Sequence, residues 1–366
     1  MRILHVTDVY RPRVGGIEMF VEELALRQSA AGHDVTVLSP TRAGSEAEHG
    51  PIEVIRVPNP APWPLPLLPR RGLGLATYDV VHAHLSVVSP FSSRVAKAAV
   101  AVGTPTIATV HSMWTGREGW VRLVGAIAGW NSWPVRWTAV SSVAAASMRL
   151  CLGEQTPVDV VPNAVDVAWW CALEPVQDSS RPFTVVAVMR LAGRKRPMEL
   201  LDALAEMRDQ VPADVPLRAI IVGAGPLEQR VRAHVEHLDL GDWVELAGPL
   251  SRDAIRELYR SADAYAAPCY QESFGIAALE ARAAGLPVVA MRSGGVGEFV
   301  EHGLEGFLCH DDEELARALT VLATDPELAH EMAAHNLAHL PPMDWQPTLD
   351  GFEAAYARAD RARART

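Results

Sequence analysis

The sequence predicts an α/β protein made of two doubly wound, Rossmann-like domains whose parallel sheets face a central cleft. Short runs that are apolar at nearly every position alternate with amphipathic segments, which is typical of parallel strands covered by helices on both faces. An irregular stretch divides these units into two series. The length of 366 residues also exceeds what one hydrophobic core normally supports.

The first series extends from residue 2 to about residue 161. Strands are expected at 2–7, 35–39, 53–57, 79–82, 105–110, 136–141 and 158–161, and helices at 17–31 and 90–102. The proline-rich segment 58–69 is expected to be a loop, because proline interrupts helices and central strands. We therefore place the first domain at residues 1–172.

The second series follows segment 173–182, which we predict to be the interdomain linker. Strands are expected at 183–188, 217–222, 243–246, 264–267 and 287–291, and helices at 197–209, 226–238, 252–260, 275–284 and 312–323. The second domain is placed at 183–342, and 343–366 is predicted to form a helix that packs back on the first domain. Ligands of doubly wound folds bind at the carboxyl ends of the strands, so the loops there should carry the chemistry.

The charge distribution disfavours nucleic acid as a partner. The net charge is −11, with 14 basic and 14 acidic side chains up to residue 175 and 19 basic and 30 acidic beyond it. Nucleic-acid binding normally needs a basic face. No apolar run approaches the roughly 18 residues that span a bilayer. Four scattered cysteines, and a strand where a signal peptide would stand, predict a cytoplasmic protein.

The strongest local pattern is the segment that begins with Glu272 and Ser273 and ends at Glu280. It follows a predicted strand and starts the helix expected over 275–284. With Ser273 as the N-cap, the backbone N–H groups of the next three residues would face a phosphate at the helix start. Those residues are Phe274, Gly275 and Ile276. The two glutamates would contact other parts of the same ligand, the alternative being ordinary solvated acids.

Two further loops have features of an anion site. Arg190, Lys195 and their basic neighbours follow the strand at 183–188, and a diphosphate would match a bidentate arginine and a point-charge lysine. Lys195 is one of only two lysines in the chain, although a solvated basic turn is the alternative. Gly15 and Gly16 follow the first strand and would let the backbone approach a ligand closely, but they also fit a flexible turn.

The remaining candidates are less specific. Segment 223–225 lacks the third glycine of a dinucleotide site and is interpreted as a tight turn. His111 ends a strand and could bind a ligand hydroxyl or support a charged intermediate, although structural histidines are common at such positions. No ligand spacing indicates a metal site. The tryptophans of 112–137 are expected mainly in the core or rim, with a sugar pocket or a membrane-surface patch as alternatives.

Taken in order, these motifs resemble the retaining glycosyltransferases of family 4, which have the GT-B architecture, over essentially the whole chain. The matching segments are GGIE, HAH, TVHS, AVSS, PNAVD, Arg190 with Lys195, VGAGP, the E-x7-E stretch and a closing Trp345, Phe352 and Tyr356 helix. The sequence departs from the family at three turns. Met189 replaces the glycine of the usual Gly-Arg-Leu, and Arg196 replaces the glycine of the usual Lys-Gly. Ala164 replaces the glycine of the usual Asn-Gly-Val-Asp.

The resemblance implies a role for each candidate residue. Arg190 and Lys195 would bind the donor diphosphate and stabilise the departing nucleoside diphosphate. The backbone of Gly15-Gly16 and of 273–276 would complete the phosphate cradle. Glu280 would hold the ribose, Glu272 would face the donor sugar, and His111 would contact the sugar near its reacting carbon. The catalytic set is therefore Glu272, His111, Arg190 and Lys195, with no metal and no cofactor.

The resemblance also implies the reaction. A sugar would pass from a UDP- or GDP-type donor, bound by the second domain, to a small polar acceptor such as a cyclitol, aminocyclitol or sugar, bound by the first. The alternatives are a lipid-linked acceptor of the phosphatidylinositol type, a sugar-nucleotide epimerase or hydrolase of the same fold, and a non-catalytic carbohydrate-binding protein. Membrane association has little support in the charge pattern, and the sequence does not indicate an oligomeric state.

Overall fold

The computed structural model describes residues 1–13, 15–44, 50–57, 73–116, 118–128, 130, 133–172 and 181–363. It divides into two compact units, one formed by Met1–Ala164 with Trp345–Thr366 and the other by Val165–Asp344. Residues 165–172, which we expected in the first domain, therefore belong to the second unit. Most of the linker expected over 173–182, and all of the loop expected over 58–69, lie outside the described residues.

Unit 1 is built on a parallel sheet of seven strands in the order β3-β2-β1-β4-β5-β6-β7. Its elements are β1 (Arg2–Thr7), α1 (Gly16–Ala30), β2 (Asp34–Ser39), β3 (Glu53–Arg56), β4 (Val80–Leu85), α2 (Pro90–Ala101), β5 (Thr106–Val110), α3 (Glu118–Ala128), β6 (Arg136–Ala139), α4 (Ser142–Leu152) and β7 (Val158–Val160). The strand order reverses between β1 and β4, which is the topological switch point of a doubly wound sheet.

Unit 2 contains a parallel sheet of six strands in the order β10-β9-β8-β11-β12-β13. Its elements are α5 (Val167–Cys171), β8 (Phe183–Val188), α6 (Pro197–Gln210), β9 (Leu217–Val222), α7 (Glu228–His237), β10 (Val244–Gly248), α8 (Arg252–Arg260), β11 (Ala264–Ala267), α9 (Ile276–Ala283), β12 (Val288–Met291), β13 (Gly306–Cys309), α10 (Asp312–Thr324) and α11 (Pro326–Ala338). Its switch point lies between β8 and β11. The two parallel sheets confirm the predicted fold class.

The C-terminal helix α12 (Trp345–Arg363) belongs to unit 1. Its apolar face includes Phe352, which is fully buried, and Trp345, whose ring stacks on Phe20 at 5.6 Å. The Tyr356 hydroxyl lies 3.0 Å from His82 Nδ1, so the helix also completes a buried polar network beside the sheet. Among the described residues, no helix combines the length and apolar character that crossing a bilayer requires.

Local chemistry explains where several helices begin. Ser141, Ser251 and Asp311 each accept a hydrogen bond from the backbone three residues later and so cap α4, α8 and α10. Proline occupies the first position of α2, α6 and α11, where its missing N–H costs nothing. The strand β13 was not predicted, because four residues with Gly306 at φ 155° give too short an apolar pattern.

Candidate functional site

The switch point of unit 2 brings together two of the predicted residues. The loops after β8 and β11 leave neighbouring strands at the same edge of the sheet. Lys195 comes from the first loop and Glu272 from the second, and their side chains form an ion pair. The lysine side chain is 25% exposed and the glutamate 16%, so the pair is partly shielded from water but still reachable.

Arg190 lies in the same loop as Lys195 and is exposed. Within the described part of the chain its side chain forms no hydrogen bond or ion pair, so its guanidinium is available to an anionic ligand. The glycines of the β9 loop hold its backbone in place. A Cβ at Gly223 would lie 1.9 Å from the Met189 carbonyl oxygen, and one at Gly225 would lie 2.3 Å from that of Leu191. The predicted tight turn therefore supports the loop that carries Arg190.

Arg196 has a structural role in this loop. Its backbone adopts φ 57°, a left-handed conformation that favours glycine. The guanidinium compensates by hydrogen bonding to the Asp312 carboxylate at 2.8 and 2.6 Å and to the Pro268 carbonyl at 3.0 Å, and it lies over the Tyr270 ring. The turn after Lys195 is thus kept without the usual glycine. Arg196 is therefore held by groups of the protein itself, whereas Arg190 and Arg194 of the same basic cluster are exposed.

The start of α9 differs from our prediction in one respect. The helix begins at Ile276, and its N-cap is Gly275 at φ 96°, with no side-chain cap hydrogen bond. Ser273 is buried two residues earlier, so its predicted role as N-cap is wrong. The reason is steric, because the neighbouring Phe274 must turn its ring into the core against Phe299 at 5.4 Å. Without a capping side chain, the first N–H groups of α9 keep their capacity to bind an anion.

We expect Gly275→Ala to disturb this helix start. The alanine would be held at positive φ, and its Cβ would lie 2.9 Å from Val296 Cγ2. Left-handed backbone costs an L-residue about 1–2 kcal/mol, so thermal unfolding should show a loss of at least that size. Gly193→Ala is the matched control, because nothing lies within 4 Å of its Cβ position. Equal stability of the two variants would contradict this account.

Sequence reasoning missed the loop after β12, which packs on the Glu272 segment. The Gly295 N–H donates to the Glu272 carbonyl at 2.8 Å. A Cβ at Gly295 would lie 2.5 Å from the Ser273 carbonyl oxygen, and one at Gly294 would lie 3.1 Å from Glu272 Cβ. The signal was present as a Gly-Gly pair in the loop that follows a strand, the same pattern noted at Gly15-Gly16. These glycines position the backbone of the candidate site.

Glu280 lies on α9 and is buried with Arg252 as its partner at 3.3 Å. The Arg252 guanidinium lies over the rings of Trp169 and Trp170 on α5, each at 5.5 Å. Burial raises the pKa of the Glu280 carboxyl from 4.5 to about 7, and the arginine only partly opposes this shift. Sequence analysis identified the glutamate but not Arg252, since only the fold brings α5, α8 and α9 together.

The raised pKa of Glu280 predicts a pH dependence of stability. Between pH 4.5 and about pH 7 the native carboxyl holds a proton that the unfolded chain has released. The free energy of unfolding should therefore fall as the pH rises through this window. Glu280→Gln keeps a neutral group beside Arg252 and should flatten that part of the profile in urea titrations. Glu245→Gln, at an exposed ion pair with Arg218, is the control and should leave the slope unchanged.

In unit 1, the helix α1 begins at Gly16 with Gly15 as its N-cap and no side-chain cap hydrogen bond. The carboxylate of Glu18 lies against Gly15, only 2.5 Å from where a Cβ would stand, and forms an ion pair with Arg13 at 3.1 Å. Only glycine allows this approach without moving the acid. A phosphate at this helix start would meet the Glu18 carboxylate, so binding there requires that side chain to turn away.

His111 follows β5 and belongs to a buried cluster of histidines. His5 and His84 are hydrogen bonded to each other at 3.0 Å, and His84 is hydrogen bonded to His111 at 3.0 Å. The ligand atoms of His5, His82 and His84 approach one another closely enough to hold a metal ion, a possibility that the spacing in the sequence did not favour. Each of their ring nitrogens, however, already has a hydrogen-bond partner, so the cluster fits a polar network at least as well.

The tryptophans of segment 112–137 mostly belong to the core. Trp114, Trp130 and Trp137 are buried, and the Trp114 and Trp130 rings stack at 5.6 Å. Trp133 packs edge-on against Trp130, whereas Trp120 on α3 is 48% exposed. Core packing is therefore the main role of this segment.

Comparison with known proteins supports the resemblance noted from the motifs. The model of the Glycosyltransferase Family 4 matches residues 14–169, and that of the glycosyl transferases group 1 matches residues 174–337. A glycogen synthase from Mycobacterium tuberculosis is 30% identical over 99% of this chain and 95% of its own length. HepE from Anabaena, solved in complex with UDP and glucose, superposes with a TM-score of 0.77 at 22% identity over 98% of this chain and 100% of its own.

Two further relatives have other acceptors in their names. A D-inositol 3-phosphate glycosyltransferase from Pseudarthrobacter chlorophenolicus is 27% identical over 97% of this chain and 94% of its own length. A GDP-mannose-dependent phosphatidylinositol monomannoside mannosyltransferase from Mycobacterium tuberculosis is 27% identical over 91% and 92%.

Fold, site and relatives together define a nucleotide-sugar glycosyltransferase of GT-B architecture. Within that class, the chain belongs to the family 4 glycosyltransferases.

Proposed function

We propose that this enzyme transfers a sugar, with retention of anomeric configuration, from a UDP- or GDP-type donor to a small polar acceptor such as a cyclitol, aminocyclitol or sugar. The observation that carries the proposal is the cationic site at the unit 2 switch point. There Lys195 pairs with Glu272, Arg190 lies exposed in the same loop as Lys195, and α9 starts without a side-chain cap. The positive charges and backbone N–H groups suit a diphosphate.

The chemistry explains why these residue types are needed. Breaking the glycosyl–phosphate bond places negative charge on the departing diphosphate and positive character on the sugar ring. Arg190 and Lys195 would stabilise the diphosphate more strongly in the transition state than in the ground state, which lowers the barrier. We propose that these two cations, with the N–H groups at Phe274, Gly275 and Ile276, do without a metal ion. Activity should then be retained in the presence of a chelator.

The other residues keep the roles that the resemblance implies. Glu280 would accept hydrogen bonds from the ribose hydroxyls, exchanging part of its pairing with Arg252 for them. Glu272 would face the donor sugar, and His111 would contact it near the reacting carbon. We propose front-face substitution, in which the leaving phosphate takes the proton of the acceptor hydroxyl. A glycosyl adduct trapped on Glu272 would instead establish a double displacement.

Relatives support two classes of acceptor. The inositol-phosphate glycosyltransferase favours the small polar acceptor that we propose. The phosphatidylinositol mannosyltransferase favours a lipid-linked acceptor as the second candidate. Transfer to either class of acceptor would take place in a reducing cytoplasm, where nucleotide sugars are made. The four cysteines, which are free thiols, would stay reduced there.

A two-stage experiment tests the proposal. Thermal shifts with a panel of UDP- and GDP-sugars identify the donor, since a ligand that binds the native state raises the melting temperature. The donor is then incubated with cyclitol, sugar and phosphoinositide acceptors, and NMR records the anomeric configuration of the product. Retention with a small polar acceptor supports the proposal. Inversion, rapid hydrolysis or epimerisation of the donor alone, or binding without turnover would overturn it.

A further inference from the structure

A continuous chain of hydrogen bonds crosses the interior of unit 1 and ends at His111. It starts at Gln28 on α1, whose Oε1 lies 2.7 Å from His5 Nε2. His5 Nδ1 lies 3.0 Å from His84 Nε2, and His84 Nδ1 lies 3.0 Å from His111 Nε2. Gln28, His5 and His84 are at most 2% exposed, and His111 is 7% exposed. The chain thus connects a buried amide to the imidazole at the end of β5.

The starting amide has a defined orientation. Its Nε2 donates to the Tyr356 hydroxyl of α12 at 3.0 Å, which leaves Oε1 to accept from His5. The Tyr356 hydroxyl in turn lies 3.0 Å from His82 Nδ1, and His82 Nε2 lies 2.6 Å from Thr109 Oγ1. The tyrosine can therefore accept from the amide and donate to His82 at the same time. The hydrogen bonds of Tyr356, His82 and Thr109 thus hold the Gln28 amide in the orientation in which its Oε1 accepts from His5.

All four imidazoles are expected to be neutral. Burial lowers the pKa of His5 to about 4 and that of His111 to about 3. The pKa values of His82 and His84 are also well below the ordinary value, because both rings are buried among other imidazoles. A neutral imidazole carries one N–H and one lone pair, so fixing the donor on one nitrogen makes the other an acceptor. The position of the proton on one ring therefore fixes the position of the proton on the next ring along the hydrogen-bonded chain.

We propose that Gln28 and Tyr356, acting through His5 and His84, hold His111 in one tautomer, with the proton on Nε2 and the lone pair on Nδ1. His5 donates to Gln28, His84 donates to His5, and His111 donates to His84. Gln28, His5, His84 and Tyr356 are positioning residues in this account. The tautomer itself follows from the chain, while its effect on transfer rests on the proposed function.

The fixed tautomer suits the role proposed for His111. In this tautomer His111 Nδ1 is an acceptor, so a donor-sugar hydroxyl that reaches this nitrogen would donate to it. A neutral ring also avoids placing a positive charge near a sugar that becomes positive in the transition state. In the opposite direction of the chain, Nδ1 would carry a proton and could only donate. The orientation of one amide therefore decides what His111 offers to a ligand.

The test uses protein labelled with ¹⁵N-histidine. The two ring nitrogens of a fixed tautomer give well-separated NMR signals, which converge when tautomers interconvert. The His111 signals are assigned by their loss in His111→Asn. We expect a single tautomer protonated on Nε2 in the unsubstituted enzyme and a mixture in Gln28→Met, which keeps the side-chain length but removes the amide. Tyr356→Phe should give a smaller shift in the same direction, because the amide loses only its second partner.

The matched control is Thr106→Val on β5. Its hydroxyl is equally buried and donates to the Thr104 carbonyl at 2.9 Å, outside the chain. This variant should keep the single tautomer and the unsubstituted kcat/KM. In Gln28→Met an equal mixture would halve the competent fraction, which doubles the apparent Kd of the donor, so kcat/KM should fall by about twofold.

A mixed or Nδ1-protonated His111 in the unsubstituted enzyme would overturn the proposal, as would a single tautomer retained in Gln28→Met. If no donor supports transfer, the proposed function fails, and the NMR result still decides the inference. A changed tautomer with unchanged kcat/KM would leave the hydrogen-bonded chain established but refute its effect on transfer.

Discussion

Lys195→Ala is expected to lower kcat/KM by about 10²–10³-fold, the effect of removing one group that stabilises transition-state charge. The lysine faces Glu272 at the unit 2 switch point and, in the proposed function, the departing diphosphate. Its loss removes that stabilisation and also leaves the carboxylate of Glu272 to repel an anionic leaving group. Steady-state kinetics with the donor identified by thermal shift measure the effect, and Arg190→Ala should act in the same direction.

The second lysine provides a matched control for this prediction. Lys97 lies on the exposed face of α2 in unit 1, so Lys97→Ala changes the same residue type away from the candidate site. Its kcat/KM should stay within about twofold of the unsubstituted enzyme, since surface substitutions have small effects. The double variant Lys195→Ala with Glu272→Gln separates lost attraction from new repulsion. Near-normal turnover in both Lys195→Ala and Arg190→Ala would refute the site assignment.

Arg282→Met is expected to destabilise unit 2 by about 3–5 kcal/mol, the cost of breaking a buried ion pair from one side. The arginine side chain is 1% exposed and pairs with Glu305. It also donates to the backbone carbonyl of Asn336 at 2.9 Å and to that of His339 at 2.7 Å. These bonds connect α9 to the C-terminal end of α11. For a unit of this size the melting temperature should fall by about 10 °C.

An exposed ion pair calibrates this loss. Arg218 and Glu245 lie 2.7 Å apart with about half of each side chain exposed, so Arg218→Met should cost less than about 1 kcal/mol. Combining Arg282→Met with Glu305→Leu removes both charges of the pair and should recover part of the stability. If Arg282→Met lowered the free energy of unfolding no more than Arg218→Met, the contacts of Arg282 would not be what stabilises the position of α9.

Much of the fold could be predicted because the apolar periodicity of each strand and helix is a local property. The strands β1, β8, β9 and β11 were predicted to the residue, but the division between the units lies at Ala164 and Val165 and not at the predicted linker 173–182. β13 was missed because its four residues carry too little pattern. The cap of α9 was misassigned because Phe274 is drawn into the core, which no local rule reveals.

The candidate site shows the same division. Arg190, Lys195, Glu272 and Glu280 were identifiable because glycine turns and charges at strand ends stand out from their surroundings. Their partners were not identifiable. Arg252 is separated from Glu280 by a strand and a loop, and Arg196 forms its ion pair with an aspartate 116 residues away. Such pairs depend on which loops meet at one edge of the sheet.

By itself, the sequence determined the class of protein, the two parallel sheets and the charged groups that a nucleotide sugar would need, because these depend on local pattern and on residue type. Only the tertiary structure decided which groups face each other. It paired Lys195 with Glu272, gave Glu280 a raised pKa, and aligned Gln28, His5, His84 and His111 in one chain. The physical reason is that burial and hydrogen bonding depend on neighbours from distant parts of the chain, which a linear pattern does not specify.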